Sequence, residues 1–155
     1  MRDLDFIRDY DVEVMRLWRA VTTPVQLLQW FGPEGVFIDA CEMDFERPGP
    51  WWCAMRGKES YQVFKVSGQV TSVHPPEDGR GSVSFTWAWH DAADRRGPES
   101  FVSFTVEATA AGARLTLSHR ELADTETAQD HTTGWLSTLR KLDRFFGKTL
   151  AEQED

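Results

Sequence analysis

Hydrophobic and polar positions alternate most cleanly in "SVSFTWAWHD", residues 82–91. Val83, Phe85, Trp87 and Trp89 share one parity, and Ser82, Ser84, Thr86, Ala88 and His90 share the other. A period of two predicts a strand with one aromatic face and one small, polar face. Upstream, "LDFIRDY" predicts a short first strand, and "DVEVMRLWRAVT" sets Val14, Leu17, Trp18 and Val21 at helical spacing. "TPVQLLQWFGP" predicts a second short helix. Thr23 caps it, Pro24 takes its first position, Gln26 completes a capping box, and Gly32-Pro33 stops it. Six strand-like runs follow: "VFIDACEMDF", "WWCAMRG", "YQVFKVSGQVTSV", "SVSFTWAWH", "SFVSFTVEA" and "ARLTLSH". The dividers "RPGP", "GKES", "HPPEDGRG", "DAADRRGPE" and "TAAGA" are rich in turn formers and short, which predicts an antiparallel meander.

The last segment, "TETAQDHTTGWLSTLRKLDRFFGKTLAE", predicts a long helix. His131, Trp135, Thr138, Leu139, Leu142, Phe145, Phe146 and Leu150 fall on one side at about 100° per residue. Ser137, Arg140, Lys141, Arg144 and Lys148 fall on the other, where a solvated basic surface is expected. Phe85, Trp87 and Trp89 carry roughly 450–750 Å² of surface when exposed. At about 25 cal/mol/Å² that is on the order of 10–20 kcal/mol as an upper bound. Whole domains are stable by only about 5–15 kcal/mol, so this face cannot remain in water. The long helix is the one large apolar partner available, and the sheet is expected to curl around it.

Composition narrows the function. One domain over residues 1–155 is the simplest organisation for this length. The net charge of −8, with no strong Lys/Arg cluster, argues against nucleic acid and against an anionic membrane surface. No apolar run is long enough for a membrane span, and "MRDLDFIRDYDVEV" has no signal-peptide core. Cys41 and Cys53 lack metal-type spacing, and nothing beside Cys41 in sequence stabilises a thiolate. A cytoplasmic protein with free thiols is expected, and the excess of Arg over Lys fits a GC-rich bacterial source. There is no phosphate loop, metalloprotease helix, nucleophile elbow or paired-cysteine zinc motif, so neither cofactor nor metal is expected.

Several stretches together carry a family resemblance: "LWRAVTTPVQLLQWFGPEG", "VSGQVTSVHPP", "VSFTWAW", "GARLTLSH" and "HTTGWLSTLRKLDRFF". From about Asp5 to Leu150 the chain resembles the SRPBCC (START-like, Bet v-type) superfamily. Within it, the chain is similar to the branch named after the activator of the heat-shock-protein ATPase. In "RPGPWW", Pro50 stands where that branch often has the second of two glycines. The resemblance implies an α+β helix-grip fold: a curved antiparallel sheet of six or seven strands around a long C-terminal helix, with two short helices after the first strand. It also implies a cavity between sheet and helix that takes an apolar molecule.

Candidate site residues follow from the pattern and that implied cavity. Phe85, Trp87, Trp89, Trp135 and Leu139 are placed to line a pocket or to fill the core. Trp51 and Trp52 are neighbours, so one faces inward, and Trp52 is taken as the lining residue. Trp18 and Trp30 are expected to pack the two short helices on the sheet. Gly134 stands inside the helix at a cost of about 0.5–1 kcal/mol, which clearance for a ligand or for the sheet would offset. His119 and His131 point inward and are either hydrogen-bonded structural groups or an acid–base pair. Asp39 shares the alternation of Phe37, Cys41 and Met43, so it enters the cavity unless its strand bulges. His74 and His90 are expected at the surface.

Three function classes remain. One is a carrier or sensor of a small apolar molecule. Another is a cyclase or dehydratase acting on an aromatic or polyketide-like substrate, with His119, His131 or Asp39 as proton shuttle. The third is an interaction module directed at a chaperone. A homodimer is compatible with each.

Overall fold

A computed structural model describes residues 2–147 of the chain. Its elements are β1 (Arg2–Tyr10), α1 (Val14–Thr22), α2 (Pro24–Trp30), β2 (Val36–Glu42), β3 (Gly49–Gly57), β4 (Val63–Glu77), β5 (Arg80–Trp89), β6 (Ser100–Thr109), β7 (Gly112–Leu122) and α3 (Thr125–Phe145). The seven strands form one antiparallel sheet in the order β1-β7-β6-β5-β4-β3-β2. The helices pack on one face of it, giving the helix-grip arrangement. Lys148 and Leu150, assigned above to the two sides of the last helix, lie outside the described residues.

Alternation sets the inner face. Val83, Phe85 and Trp87 of β5 are buried with Val102, Phe104 and Val106 of β6 and Leu115, Leu117 and His119 of β7. Trp51 enters this core, where its Nε1 donates to the Thr86 carbonyl at 3.1 Å. Gly68 makes that approach possible, since a Cβ there would lie 2.0 Å from the same carbonyl oxygen. Trp30 fixes the short helices to each other by donating from Nε1 to the Ala20 carbonyl at 2.7 Å. Trp18 is also buried.

Several local expectations change. Thr23 ends α1 and begins α2 through its backbone, but its hydroxyl caps nothing and lies 3.4 Å from Glu46 Oε1. Pro75 and Pro76 do not end a strand: β4 runs to Glu77 and the turn falls at Asp78-Gly79. The prolines sit where the β4–β5 register shifts, so no ladder bond is demanded of their nitrogens. In β2 a register shift between Ile38 and Ala40 reverses the phase. Ile38 and Cys41 then pack on the core, while Asp39 is exposed and pairs with Arg56 at 3.0 Å.

One polar contact joins the first strand to the last helix. Tyr10 donates its hydroxyl to Asp143 Oδ1 at 2.6 Å, and Arg8 stands 3.7 Å from the same carboxylate. Asp143 is only 3% exposed, so its charge depends on these partners. Tyr10→Phe is expected to cost about 1.5–3 kcal/mol, the range for a hydrogen bond to a charged group. Thermal unfolding checks this, and a melting temperature equal to that of the unaltered protein would show that the contact is idle.

Candidate functional site

Between the inner face of the sheet and α3 lies a cavity of about 540 Å³. The sheet contributes Trp87 and Trp89 from β5, Met55 from β3 and Phe64 from β4; α3 contributes Thr127, Asp130, His131, Gly134, Trp135 and Thr138. The link from α2 to β2 adds Phe31, Gly32 and Pro33, and β2 adds Val36. Phe64 and Asp130 are exposed and mark the rim, while Trp87 and Trp135 are 5% and 4% exposed and form the deep wall.

Of the residues assigned to a pocket from sequence, Trp87, Trp89, His131, Gly134 and Trp135 line this cavity. Five others lie elsewhere. Phe85 packs below the cavity against Phe45 and Phe104, with ring centroids 4.5 and 5.3 Å away. Leu139 is fully buried in the same core. Trp52 faces the outer side of the sheet, with the Lys65 ammonium 5.3 Å from its ring, because Trp51 takes the inner position. His119 is fully buried behind Trp87 and Trp135. Asp39 is removed from the cavity by the bulge in β2. A Cβ built on Gly134 meets nothing within 4 Å, so the glycine borders open space and admits no close approach of the sheet.

Phe31, Met55 and Phe64 were not identified from sequence as lining residues. Phe31 sits in the stop signal after α2, and its position depends on contacts from α3. Ser137 Oγ accepts from the Glu34 amide at 2.7 Å, and Lys141 Nζ donates to the Phe31 and Gly32 carbonyls at 3.4 and 3.1 Å. Arg140 pairs with Glu34 at 2.9 Å, and Arg144 holds its other carboxylate oxygen. Arg140 and Arg144 stay exposed on this side of α3, but the side is more than a solvated surface. It clamps the α2–β2 link against the cavity.

The two histidines have fixed tautomers. Trp135 donates from Nε1 to His119 Nδ1 at 2.9 Å, and His119 Nε2–H donates to Ser100 Oγ at 2.7 Å. Trp89 donates from Nε1 to His131 Nε2 at 3.0 Å, and His131 Nδ1–H donates to the Thr127 carbonyl at 2.8 Å. An indole N–H can only donate, so each imidazole must be neutral to accept it. Both ring nitrogens of both residues are committed, which leaves neither histidine free as a proton shuttle. Burial pushes both imidazoles down, His119 to about 3 with help from His131. The free thiols of Cys41 and Cys53 are pushed up by burial, Cys53 to about 12. Among the described residues no cluster of three or more His, Cys, Asp or Glu is placed to hold a metal. No helix among them is long and apolar enough to cross a membrane.

The neutral histidines give stability a pH dependence. An unfolded chain protonates His near 6.5, and folded His119 only near 3. On acidification the unfolded state binds the proton first, so the contribution of neutral His119 is whole above pH about 6.5 and falls as pH drops toward 3. Its slope approaches about 1.4 kcal/mol per pH unit within that window. Denaturant unfolding at pH 7, 6, 5 and 4 checks this. In His119→Asn, whose amide oxygen can still accept from Trp135, the slope should flatten; an unchanged slope would place the acid sensitivity in other groups.

The family model described as activator of Hsp90 ATPase homolog 1-like protein matches residues 11–147. A solved AHSA1 protein of Silicibacter pomeroyi is similar at 50% identity, covering 91% of this chain and 94% of that one with a TM-score of 0.84. A protein of Chromobacterium violaceum is 19% identical over 96% of this chain and 100% of its own, with a TM-score of 0.78. One of Mycobacterium smegmatis is 21% identical over 95% and 91%, with a TM-score of 0.72. The last two share the fold alone. No curated protein matches the chain.

Proposed function

The chain belongs to the family of activator of Hsp90 ATPase homolog 1-like proteins, and on that footing we propose that it binds a small, largely apolar molecule between its sheet and α3. The observation that carries this reading is a space bordered by aromatic rings that the protein's own side chains do not fill. Phe31, Trp87, Trp89 and Trp135 border a cavity of about 540 Å³, within the roughly 300–1,000 Å³ usual for ligand pockets. Two of these indoles are held by histidine acceptors and Phe31 is held by the clamp from α3. The walls are thus set before a ligand arrives, which reduces the ordering cost of binding.

The lining also selects charge. Among the described residues Asp130 is the one charged residue along it and stands at the rim. A ligand whose apolar body fills the cavity leaves its polar end beside this carboxylate and the ring of Phe64. A neutral or cationic end is accommodated there, and a cation gains further from aromatic faces. A carboxylate end meets like charge, with no basic lining residue among the described residues to offset it. The family description names an activator of the Hsp90 ATPase; for this chain a chaperone contact has that name alone in its favour.

Three naphthalene probes sharing one ring system, ending in aminomethyl, hydroxymethyl and carboxymethyl groups, test both parts by quenching of tryptophan emission. The amine is expected to bind best and the carboxylate worst, about fivefold or more apart. Asp130→Asn should narrow that spread. Gly134→Leu should weaken all three probes, whereas Gly134→Ala should keep binding and add about 0.5–1 kcal/mol of stability from helix propensity. If none of the three binds the folded protein, the ligand-binding reading fails; if all bind alike, only the charge selection fails.

A further inference from the structure

The outer face of the sheet carries a second constellation. Ser67 Oγ lies 2.6 Å from His90 Nε2, and His90 Nδ1 lies 2.8 Å from Asp94 Oδ1. The carboxylate can only accept, so Nδ1 carries the proton and Nε2 is free to accept from the serine hydroxyl. This is the tautomer a general base requires. Arg96 adds a cation by donating from Nε to the same Oγ at 2.9 Å and from its terminal nitrogen to the Ser67 carbonyl at 3.1 Å.

These groups come from three segments brought together by the 91–99 loop. Asp91 Oδ1 accepts from the Ala93 and Arg95 amides at 2.9 Å each, and the Gly97 amide donates to the Trp89 carbonyl at 2.8 Å. The loop folds back over the end of β5, where His90 bridges to Arg96. Asp94 adopts φ of 61°, a left-handed conformation that Asp tolerates, and this turns its carboxylate to the imidazole. The loop also covers His90, whose side chain is only 10% exposed, contrary to the surface position expected from sequence. Lys65 and His90 hold the Asp94 carboxyl below its ordinary range, which keeps it an acceptor. Ser67 is half-buried, opposite Trp52 on β3.

We propose that Ser67, His90 and Asp94 form a nucleophile, base and orienting group for acyl transfer from small esters to water, with Arg96 facing the developing oxyanion. Ser67 Oγ bonds to the ester carbonyl carbon while its proton passes to His90 Nε2. The negative charge gathers on the former carbonyl oxygen, two bonds beyond the Ser67 Oγ that Arg96 already contacts. Collapse breaks the bond to the leaving alcohol, which takes the proton from His90. Water then attacks the acyl-serine, giving a proton to His90 Nε2 that returns to Ser67 Oγ as the acid leaves. The balance is ester plus water to carboxylic acid plus alcohol. The neighbouring Trp52 ring offers an apolar surface to an aryl or short acyl group.

The inference is independent of cavity occupancy, because the site lies on the opposite face of the sheet. Diisopropyl fluorophosphate followed by peptide mapping, together with p-nitrophenyl acetate hydrolysis, tests it. One phosphoryl adduct is expected on Ser67, with hydrolysis above that of free imidazole. Ser67→Ala should abolish the adduct, and His90→Gln should slow hydrolysis by about 100-fold or more. Asp94 acts through His90 as a positioning residue, so Asp94→Asn should lower kcat while leaving KM unchanged. Melting curves for each variant establish that the fold is retained. An adduct confined to lysine or tyrosine, no adduct on the folded protein, or hydrolysis unchanged in folded Ser67→Ala would each overturn the proposal.

Discussion

Tryptophan N–H groups buried in an apolar space must find acceptors, and the inner architecture follows from how this chain supplies them. Trp30 and Trp51 use backbone carbonyls. Trp89 and Trp135 use histidines. Trp87, in the middle of the cluster, is the one buried side chain among the described residues whose N–H has no protein acceptor. Leaving such a donor unpaired costs about 1–3 kcal/mol, so its position is held by the surrounding rings. Trp89, Trp135 and Trp51 stand 5.3–5.7 Å from it, centre to centre. The histidines thus serve the aromatic wall, and their neutrality is a condition of its geometry.

The cavity is defined as much from behind as from within. The α2–β2 link would be a free loop if only its own sequence held it. Glu34 instead receives two arginines, while Ser137 accepts from its amide and Lys141 donates to the Phe31 and Gly32 carbonyls just before it. Each exposed ion pair alone contributes little. Converging on Phe31, Gly32 and Glu34, they fix Phe31 against Trp51, Trp87 and Trp135. The polar side of α3 therefore shapes the apolar site without touching it.

Much of this was legible in the chain. The parity of Val83, Phe85, Trp87 and Trp89 gave the strand and its inner face, and the spacing of His131 and Trp135 gave the inward side of α3. What escaped were features that alternation cannot report. Alternation left Asp39 open between the cavity and a bulge, and only the register shift in β2 settled it outward, with Ile38 inward. Adjacent Trp51 and Trp52 offer identical chemistry, and it is Trp51 that shares the buried side of β3 with Cys53 and Met55. Depth within a face is equally invisible, which is why Phe85, Leu139 and His119 share the parity or spacing of lining residues yet lie behind the cavity. The Ser67–His90–Asp94 chain joins residues whose proximity depends on a turn, and no local motif marks it.

The bond between Tyr10 and Asp143 spans 133 positions of sequence, and β1 pairs only with β7, Leu4 lying opposite His119. During synthesis β1 leaves the ribosome before the other strands of this sheet and is thus among the last of them to find its place. Its neighbour emerges after more than a hundred further residues, and its tether to α3 later still. Non-local closure of this kind is slow, because the loop entropy is lost before the contacts form. For that interval β1 presents Leu4, Phe6 and Ile7 on an open edge, interrupted by Arg2, Asp3, Asp5, Arg8 and Asp9. Charges so closely interleaved keep a waiting strand from pairing with another nascent chain.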